Sequence, residues 1–345
     1  YRISFFGGGT DYPAWYLKHG GQVLSTTIDK YLYISCRYLP PFFEHRLRLV
    51  YSRVELCQHS SELDHPSARE VLKFLGIENG LEIHYDGDLP GRSGLGSSSS
   101  FTVGLLNALY AYRGQMISPH QLATDSIHIE QNLIGETVGS QDQVNAAYGG
   151  LNRIQFKQNG EIIVDPITLT KERLEALDQN LMLFYTGITR TAEKVAKSYV
   201  KNIQTKEKQL VRMHAMVDEA IEILMNGDLD DFGLLLNEAW QEKRCLSGLV
   251  SNRDVDEIYV AALSAGVLGG KLSGAGGGGF LLLYVPVDKQ LEVKQKLSHL
   301  LHVPFTSEPK GSHIIFSDRH REYIEEELAH DEKAYSPFVE LKGIK

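Results

Sequence analysis

The chain has 345 residues, 42% of them hydrophobic and 23% charged, with a formal net charge of -9. That is the make-up of a folded globular protein, and the length favours two domains over one core. The acidic balance weighs against a nucleic-acid partner, which requires a basic stripe, and no run approaches the ~18 consecutive apolar residues of a membrane helix. Cys36, Cys57 and Cys245 are widely spaced and form no CxxC pair, which disfavours a disulfide framework or structural zinc site and fits a reducing, cytoplasmic setting. Tyr1 to Phe6 carry no basic-then-apolar secretory pattern, and a strand pattern beginning at the first residue suggests that further residues precede it.

Arg2 to Phe6 reads as a short strand closed by Gly7, Gly8 and Gly9. Residues 22–38, rich in β-branched and aromatic side chains, read as two strands around Asp29 and Lys30, and 81–86 alternate as a half-buried strand does. A Pro/Gly/Ser block from Pro90 to Ser100 precedes a helix over 101–112, where Phe101, Leu105 and Leu109 recur every four residues. Ser118 and Pro119 open a helix that runs to about Leu133 and stops near Gly135. A short helix over 140–148 and a strand pair over 151–164 follow. Beyond Asp165 the pattern predicts a strand at 181–185 and helices over 191–226, 229–245 and 252–265. The glycine cluster 274–279 leads into a strand at 280–285, and a last strand at 313–316 precedes a charged helix over 318–332. Strands and helices mixed in both halves point to an α+β protein of two domains, 1–164 and 165–345, with a cleft between them.

Glycine lets backbone amides turn toward an anion. Pro90-Gly-Arg-Ser-Gly-Leu-Gly-Ser-Ser-Ser-Ser100 stands directly before a helix, whose N-terminus offers free N–H groups and about half a positive charge. A flexible linker is the bland alternative, but linkers are not normally wedged between a strand and an apolar helix. Two familiar nucleotide patterns fail. A Walker A loop would need glycine at 265 and Ser or Thr at 272, where Ala265 and Leu272 stand. The GxGxxG match at Gly274, Gly276 and Gly279 runs into a strand and not a helix, so a dinucleotide-dependent oxidoreductase is excluded by context.

Pro90-xxx-Gly94-Leu95-Gly96-Ser97-Ser98-Ser99 resembles the ATP-binding motif of the galactokinase–homoserine kinase–mevalonate kinase–phosphomevalonate kinase (GHMP) superfamily. Arg2-Ile-Ser-Phe-Phe-Gly-Gly-Gly-Thr-Asp11-Tyr12 is similar to its N-terminal substrate motif, and Lys271-Leu-Ser-Gly-Ala-Gly-Gly-Gly-Gly-Phe280 to its C-terminal glycine motif. Three motifs in order are far more specific than one. The first most resembles the D-glycero-D-manno-heptose 7-phosphate kinases, with the kinase half of fucokinase next. The resemblance implies a ribosomal-S5-like N-terminal domain, a ferredoxin-like C-terminal domain, ATP and Mg²⁺ as cofactors, and a small sugar phosphate as the acceptor. It implies nucleotide contacts from Pro90, Arg92, Ser93, Gly94, Leu95, Gly96, Ser97, Ser98, Ser99, Gly274, Gly276 and Gly277, and acceptor contacts from Gly8, Gly9, Thr10 and Asp11. The tail beyond about residue 318 carries no match, and the sequence leaves a homo-oligomer open.

Glu130 has Ala123, Ile127 and Ile134 at helical spacing around it, which places its carboxylate on an apolar face where it requires a cation. The residues alone leave a structural ion pair and a functional carboxylate open; the resemblance implies a magnesium ligand, with Ser98 as the other. Asp142, in Gly139-Ser-Gln-Asp-Gln-Val, reads either as a helix-dipole aspartate or, matching the family's x-Asp-Gln motif, as the catalytic base. Arg2 aligns with an arginine that supports the transferring phosphoryl group in galactokinase-like members. Asp11 is either a turn residue or an acceptor for sugar hydroxyls. Arg190 and Lys194, four residues apart in the second half, form a candidate clamp for the phosphate already on the sugar, or an ordinary solvated pair. A non-catalytic sugar sensor on the same fold would lack the base or the metal ligand, and both are present.

Overall fold

The computed structural model describes residues 1–40, 43–91, 93–188 and 192–318. β1 (Arg2–Phe6), α1 (Pro13–His19) and β2 (Gly21–Thr27) open the chain. β3 (Leu32–Tyr38), β4 (Leu47–Val50), β5 (Val54–Cys57), α2 (Pro66–Phe74) and β6 (Leu81–Gly87) follow, and their strands form a sheet of order β3-β6-β4-β5. Three mutually packed helices come next, α3 (Ser97–Tyr112), α4 (Pro119–His128) and α5 (Gln141–Tyr148). α4 continues through a π-turn, Ile129–Leu133. β7 (Asn152–Phe156) and β8 (Ile162–Pro166) complete the sheet β1-β2-β7-β8.

The second half runs α6 (Lys171–Asn180), β9 (Leu181–Tyr185), α7 (Ala192–Val200), α8 (Glu207–Asn226), α9 (Leu229–Arg244) and α10 (Arg253–Ser264). It ends with β10 (Gly269–Leu272), β11 (Phe280–Tyr284), α11 (Gln290–Lys296) and β12 (Leu301–Val303). These strands form an antiparallel sheet of order β10-β11-β9-β12. The arrangement is the mixed α+β, two-part architecture expected.

β1 is buried along its whole length because the second half covers it. A register shift between Ser4 and Phe6 lets Phe5 and Phe6 both meet Phe232 of α9 edge-on, at 5.3 and 5.1 Å between ring centroids. Met216, Val217 and Ala220 of α8 belong to the same apolar cluster. The chain then returns: residues 306–312 lie against the first half, with Glu308 N–H donating to Thr27 O at 2.9 Å and Ser312 N–H to Ala146 O at 2.7 Å.

Two of these expectations differ, and a third cannot be compared. The helix foreseen over 191–226 is two helices, broken by a 3₁₀ turn at Ile203–Lys206, and the break lets Tyr199 and Ile203 pack in one cluster with Leu210 and Met213. Residues 313–316 form no strand: Ile315 and Phe316 are 76% and 82% exposed, and an apolar run becomes a strand only where another strand accepts its hydrogen bonds. The helix expected over 318–332 falls outside the described residues except for Asp318.

Gly149 has φ +70, and a Cβ there would meet Gly311 N at 2.0 Å. Gly149→Ala is expected to lower the unfolding free energy by about 2 kcal/mol or more, from left-handed strain and displacement of the 306–312 segment. Urea denaturation measures this; a change under about 0.5 kcal/mol, the scale of a neutral surface substitution, would refute it.

Candidate active site

The main cleft, about 810 Å³, lies where β1, the N-terminus of α3, α5 and the glycine turn after β10 converge. α3 starts at Ser97, four residues before the expected point at Phe101, with Gly96 (φ 80) as its N-cap and no capping side chain. Its first-turn amides therefore keep their capacity for an anion. Gly94 (φ 84) is pressed against the second glycine segment: a Cβ on it would lie 2.5 Å from Ser273 O, and one on Gly274 would lie 2.6 Å from Gly94 Cα. Side chains at these positions would force apart the two turns that shape the phosphate end.

Arg2 connects the parts. Its Nε and Nη2 donate to the two oxygens of Asp142 at 2.7 and 2.8 Å, and Nη1 donates to Gly94 O at 2.7 Å. Arg2 is buried, while the Asp142 side chain is 26% exposed on the cleft wall. Asp11 sits beside them, with Gly9 N–H and the Gln141 side-chain amide each donating to it at 2.9 Å. A Cβ on Gly139 would lie 1.9 Å from its Oδ2, so only glycine leaves room for this carboxylate. Burial raises the Asp11 pKa; the Gly9 hydrogen bond opposes the rise and the Asp142 charge adds to it.

Glu130 is fully buried on the π-turn. Ser99 Oγ donates to its Oε2 at 2.8 Å and Gln143 donates to the same oxygen, while Oε1 has no partner. Burial pushes its pKa up to about 7, only partly offset by hydrogen bonds from Thr102, Ser99 and Gln143. Among the described residues no cation pairs with it, so the ion-pair alternative finds no partner. Ser98 is exposed on the cleft wall, and Ser99 is the serine bonded to Glu130. An orphaned carboxylate oxygen behind a serine hydroxyl is a hard-oxygen donor set, and it fits magnesium.

Other predicted residues are placed differently. Thr10 lies away from the cleft wall and pins its loop, donating to Gly7 O at 2.8 Å and accepting from Gln22 N–H at 3.1 Å. Leu95 anchors the phosphate loop in the core, and the buried Ser93 backs it, its O accepting from Phe280 N–H at 3.3 Å. Gly8 and Gly9 reach the cleft, whereas Pro90 borders a separate pocket. Gly276 and Gly277 pack on Val250, Gly277 N–H donating to its O at 2.8 Å. Lys194 is exposed and does not join the cleft wall; Arg92 and Arg190 lie outside the described residues.

Sequence reading missed two features. At one end of the cleft Tyr51, His65, Phe101 and Tyr85 form a chain of edge-on and tilted ring contacts, 5.2, 4.5 and 5.2 Å apart in that order, which lines the wall with aromatic surface. Pro66 after His65 is a helix-start signal that could have located α2, but nothing local joins His65 to Phe101. At the other end the amines of Lys243 and Lys271 are buried in the cleft wall. Lys271 stands inside a recognised glycine motif; Lys243 had no local signal.

Phosphate-cradling amides facing an arginine–aspartate pair are the equipment of a phosphoryl-transfer enzyme. The model for the GHMP kinases N-terminal domain matches residues 65–150, and that for the GHMP kinases C-terminal region matches 207–301. The chain is similar to D-glycero-alpha-D-manno-heptose 7-phosphate kinase of Campylobacter jejuni, 29% identical over 313 residues that cover 86% of this chain and 91% of the relative. It is also similar to galactokinase of Pyrococcus furiosus, 27% identical over 84% of this chain and 88% of the relative. The solved structure of a D-glycero-D-manno-heptose 1-phosphate kinase from Bacteroides thetaiotaomicron shares the fold, with a TM-score of 0.75 at 24% identity, over 92% of this chain and 97% of that one. The chain belongs to the GHMP kinases and is an ATP-dependent kinase. Among the described residues no helix is long and apolar enough to cross a membrane.

Glu130→Gln and Ser98→Ala are each expected to raise the magnesium concentration for half-maximal rate about tenfold, the loss typical of weakened metal support. Metal-free Glu130→Gln should melt no lower than wild type, because it removes a buried carboxylate that has an unpartnered oxygen and, among the described residues, no cation beside it. Magnesium titration of the rate and thermal melts check both; unchanged magnesium dependence would place the metal elsewhere.

Proposed function

We propose that the protein is a cytoplasmic sugar kinase that transfers the γ-phosphoryl group of ATP to the anomeric hydroxyl of D-glycero-D-manno-heptose 7-phosphate. The product is the 1,7-bisphosphate used to make nucleotide-activated heptose. The observation that carries the transfer reading is the Arg2–Asp142 pair set between Asp11 and the N-terminus of α3. The choice of acceptor is supported by the name of the Campylobacter jejuni relative. The Bacteroides thetaiotaomicron protein carries a 1-phosphate in its name, so the position of the phosphate already on the sugar is the point to test. In this reading residues 1–164 bind the nucleotide and 165–345 close the acceptor end.

ATP would lie with its base against the Tyr51–His65–Phe101 end and its phosphates on the amides of residues 94–98. Asp11 and Gln141 would orient sugar hydroxyls. The acceptor hydroxyl donates to Asp142, its oxygen bonds to the γ-phosphorus as the bond to the ADP oxygen breaks, and Asp142 receives the proton. The transition state of such transfers is loose, so Asp142 acts mainly by alignment, and Arg2 holds that alignment while lending charge to the phosphoryl oxygens. Magnesium bound at Ser98 and Glu130 would neutralise phosphate charge.

Asp142→Asn should lower kcat by about 10²–10⁴, towards the low end for a loose transition state, with KM for ATP little changed. A thermal melt must accompany it, since the substitution leaves the buried Arg2 guanidinium without its countercharge. A fall in kcat below about threefold, under 1 kcal/mol of barrier, would move the base to another residue. Heptose 7-phosphate should be turned over at least tenfold more efficiently than free sugars, measured as ADP formed across a panel; a preference for free fucose or galactose would overturn the heptose phosphate acceptor.

A further inference from the structure

We propose that Lys271 and Lys243 are the protonatable cations of the transfer centre: their amines take up protons as phosphates enter the cleft, then hold the charge of the transferring phosphoryl group. This rests on the phosphoryl-transfer reading above. Both side chains belong to the cleft wall, yet they are only 3% and 6% exposed. Lys271 Nζ donates to Phe5 O at 2.7 Å; Lys243 Nζ donates to Leu272 O at 2.9 Å and to Gly274 O. An ammonium has three donors, so among the described residues Lys271 spends one on the protein and Lys243 two, and the remainder can reach a ligand.

The charges around them give the reason for two lysines. Arg2 on β1 and Asp11 on the loop after it line the same cleft and act electrostatically on both amines, and the charge of Lys271 acts on Lys243. Asp142 on α5 reaches this group through Arg2. With both carboxylates ionised, one positive group stands against two negative ones, and Arg2 is already committed to Asp142 and Gly94 O. A centre that must gather phosphate groups cannot work at a net negative charge inside a chain of net charge -9. Protonated, the two lysines reverse that sign where the charge develops.

Against the protein groups alone, the amines resist protonation. Burial lowers the Lys271 pKa to about 7, with Arg2 lowering it further and Asp11 opposing; burial, then Lys271 and Arg2, hold Lys243 well below the usual lysine range. A phosphate dianion alongside favours the charged amine, so its arrival draws protons from solvent. A purely structural pair, pinning the carbonyls of Phe5, Leu272 and Gly274, would draw none.

The test is calorimetry of the wild-type protein near pH 8 in buffers of different ionisation enthalpy. Two probes are used: β,γ-imido-ATP without acceptor, and D-glycero-D-manno-heptose 7-phosphate without nucleotide. The nucleotide arm is run with and without magnesium, which separates any proton released from Glu130. Uptake of about one to two protons per site is expected with β,γ-imido-ATP, and Lys271→Met should lower it by about one. Failure of the heptose phosphate to bind would count against the acceptor alone, because the nucleotide arm still reads the lysines. In steady-state kinetics, wild-type kcat/KM should fall as pH rises through about 7, Lys271→Met should lose that limb together with about 10²–10³ of kcat, and Lys271→Arg should move it upward. Absence of proton uptake in the wild-type nucleotide arm, which needs no variant to fold, would overturn the proposal, as would an unchanged pH limb in Lys271→Met.

Discussion

The ion pair between buried Arg2 and Asp142 on the cleft wall joins three parts of the chain that have no local reason to meet. Its partners are 140 residues apart, on the first strand and on α5, and the third bond of the guanidinium goes to the glycine loop at Gly94. A buried guanidinium is tolerable only where its donors are met by well-placed acceptors. Satisfying it therefore sets β1, α5 and the phosphate loop at fixed positions. In the proposed reaction the pair would also do chemical work, since the side chain that neutralises Arg2 is the one assigned to the acceptor hydroxyl.

Around that pair, shape is governed by absent side chains. The Gly94 and Gly274 turns touch backbone to backbone, and Gly139 leaves the space that Asp11 fills. Close approach of main chain brings amides together, and amides bind phosphate without adding to desolvation of charged side chains. In an acidic protein this is a way to hold an anion while using few cations. Arg2, Lys243 and Lys271 are buried, where low dielectric makes each charge count for more.

Burial also explains the groups with displaced proton affinities. Glu130, Asp11, Lys243 and Lys271 all sit within or just behind the cleft, and in each the largest cause is loss of water. Carboxylates are pushed toward the neutral acid and amines toward the neutral base, so the protein groups by themselves carry less charge than their residue types suggest. In the proposed reaction, entry of phosphates and metal would supply countercharges to these groups and so couple occupancy to protonation.

Local pattern made much of this legible. Strands β1, β6, β9 and β11 and helices α4, α5, α9 and α10 lie close to where alternation, apolar spacing and capping residues put them, because those signals act within a few neighbours. The three glycine motifs pointed to a kinase of the GHMP type; Arg2 and Asp11 were singled out within the first of them, and Asp142 by its match to the x-Asp-Gln motif. Other features were hidden for the same reason. The break before α8 depends on a shared core with Ile203, and the failure of 313–316 to become a strand depends on a missing neighbour. The bond of Ser99 to Glu130 is set by how α3 lies against the π-turn, and the lysine pair exists only because α9 and β10 meet behind β1. Residue types and spacing determined which chemistry the chain can perform; tertiary structure decided which side chains are dry, which are paired and which face the cleft, since burial and long-range contact are properties of the packed chain and not of any segment.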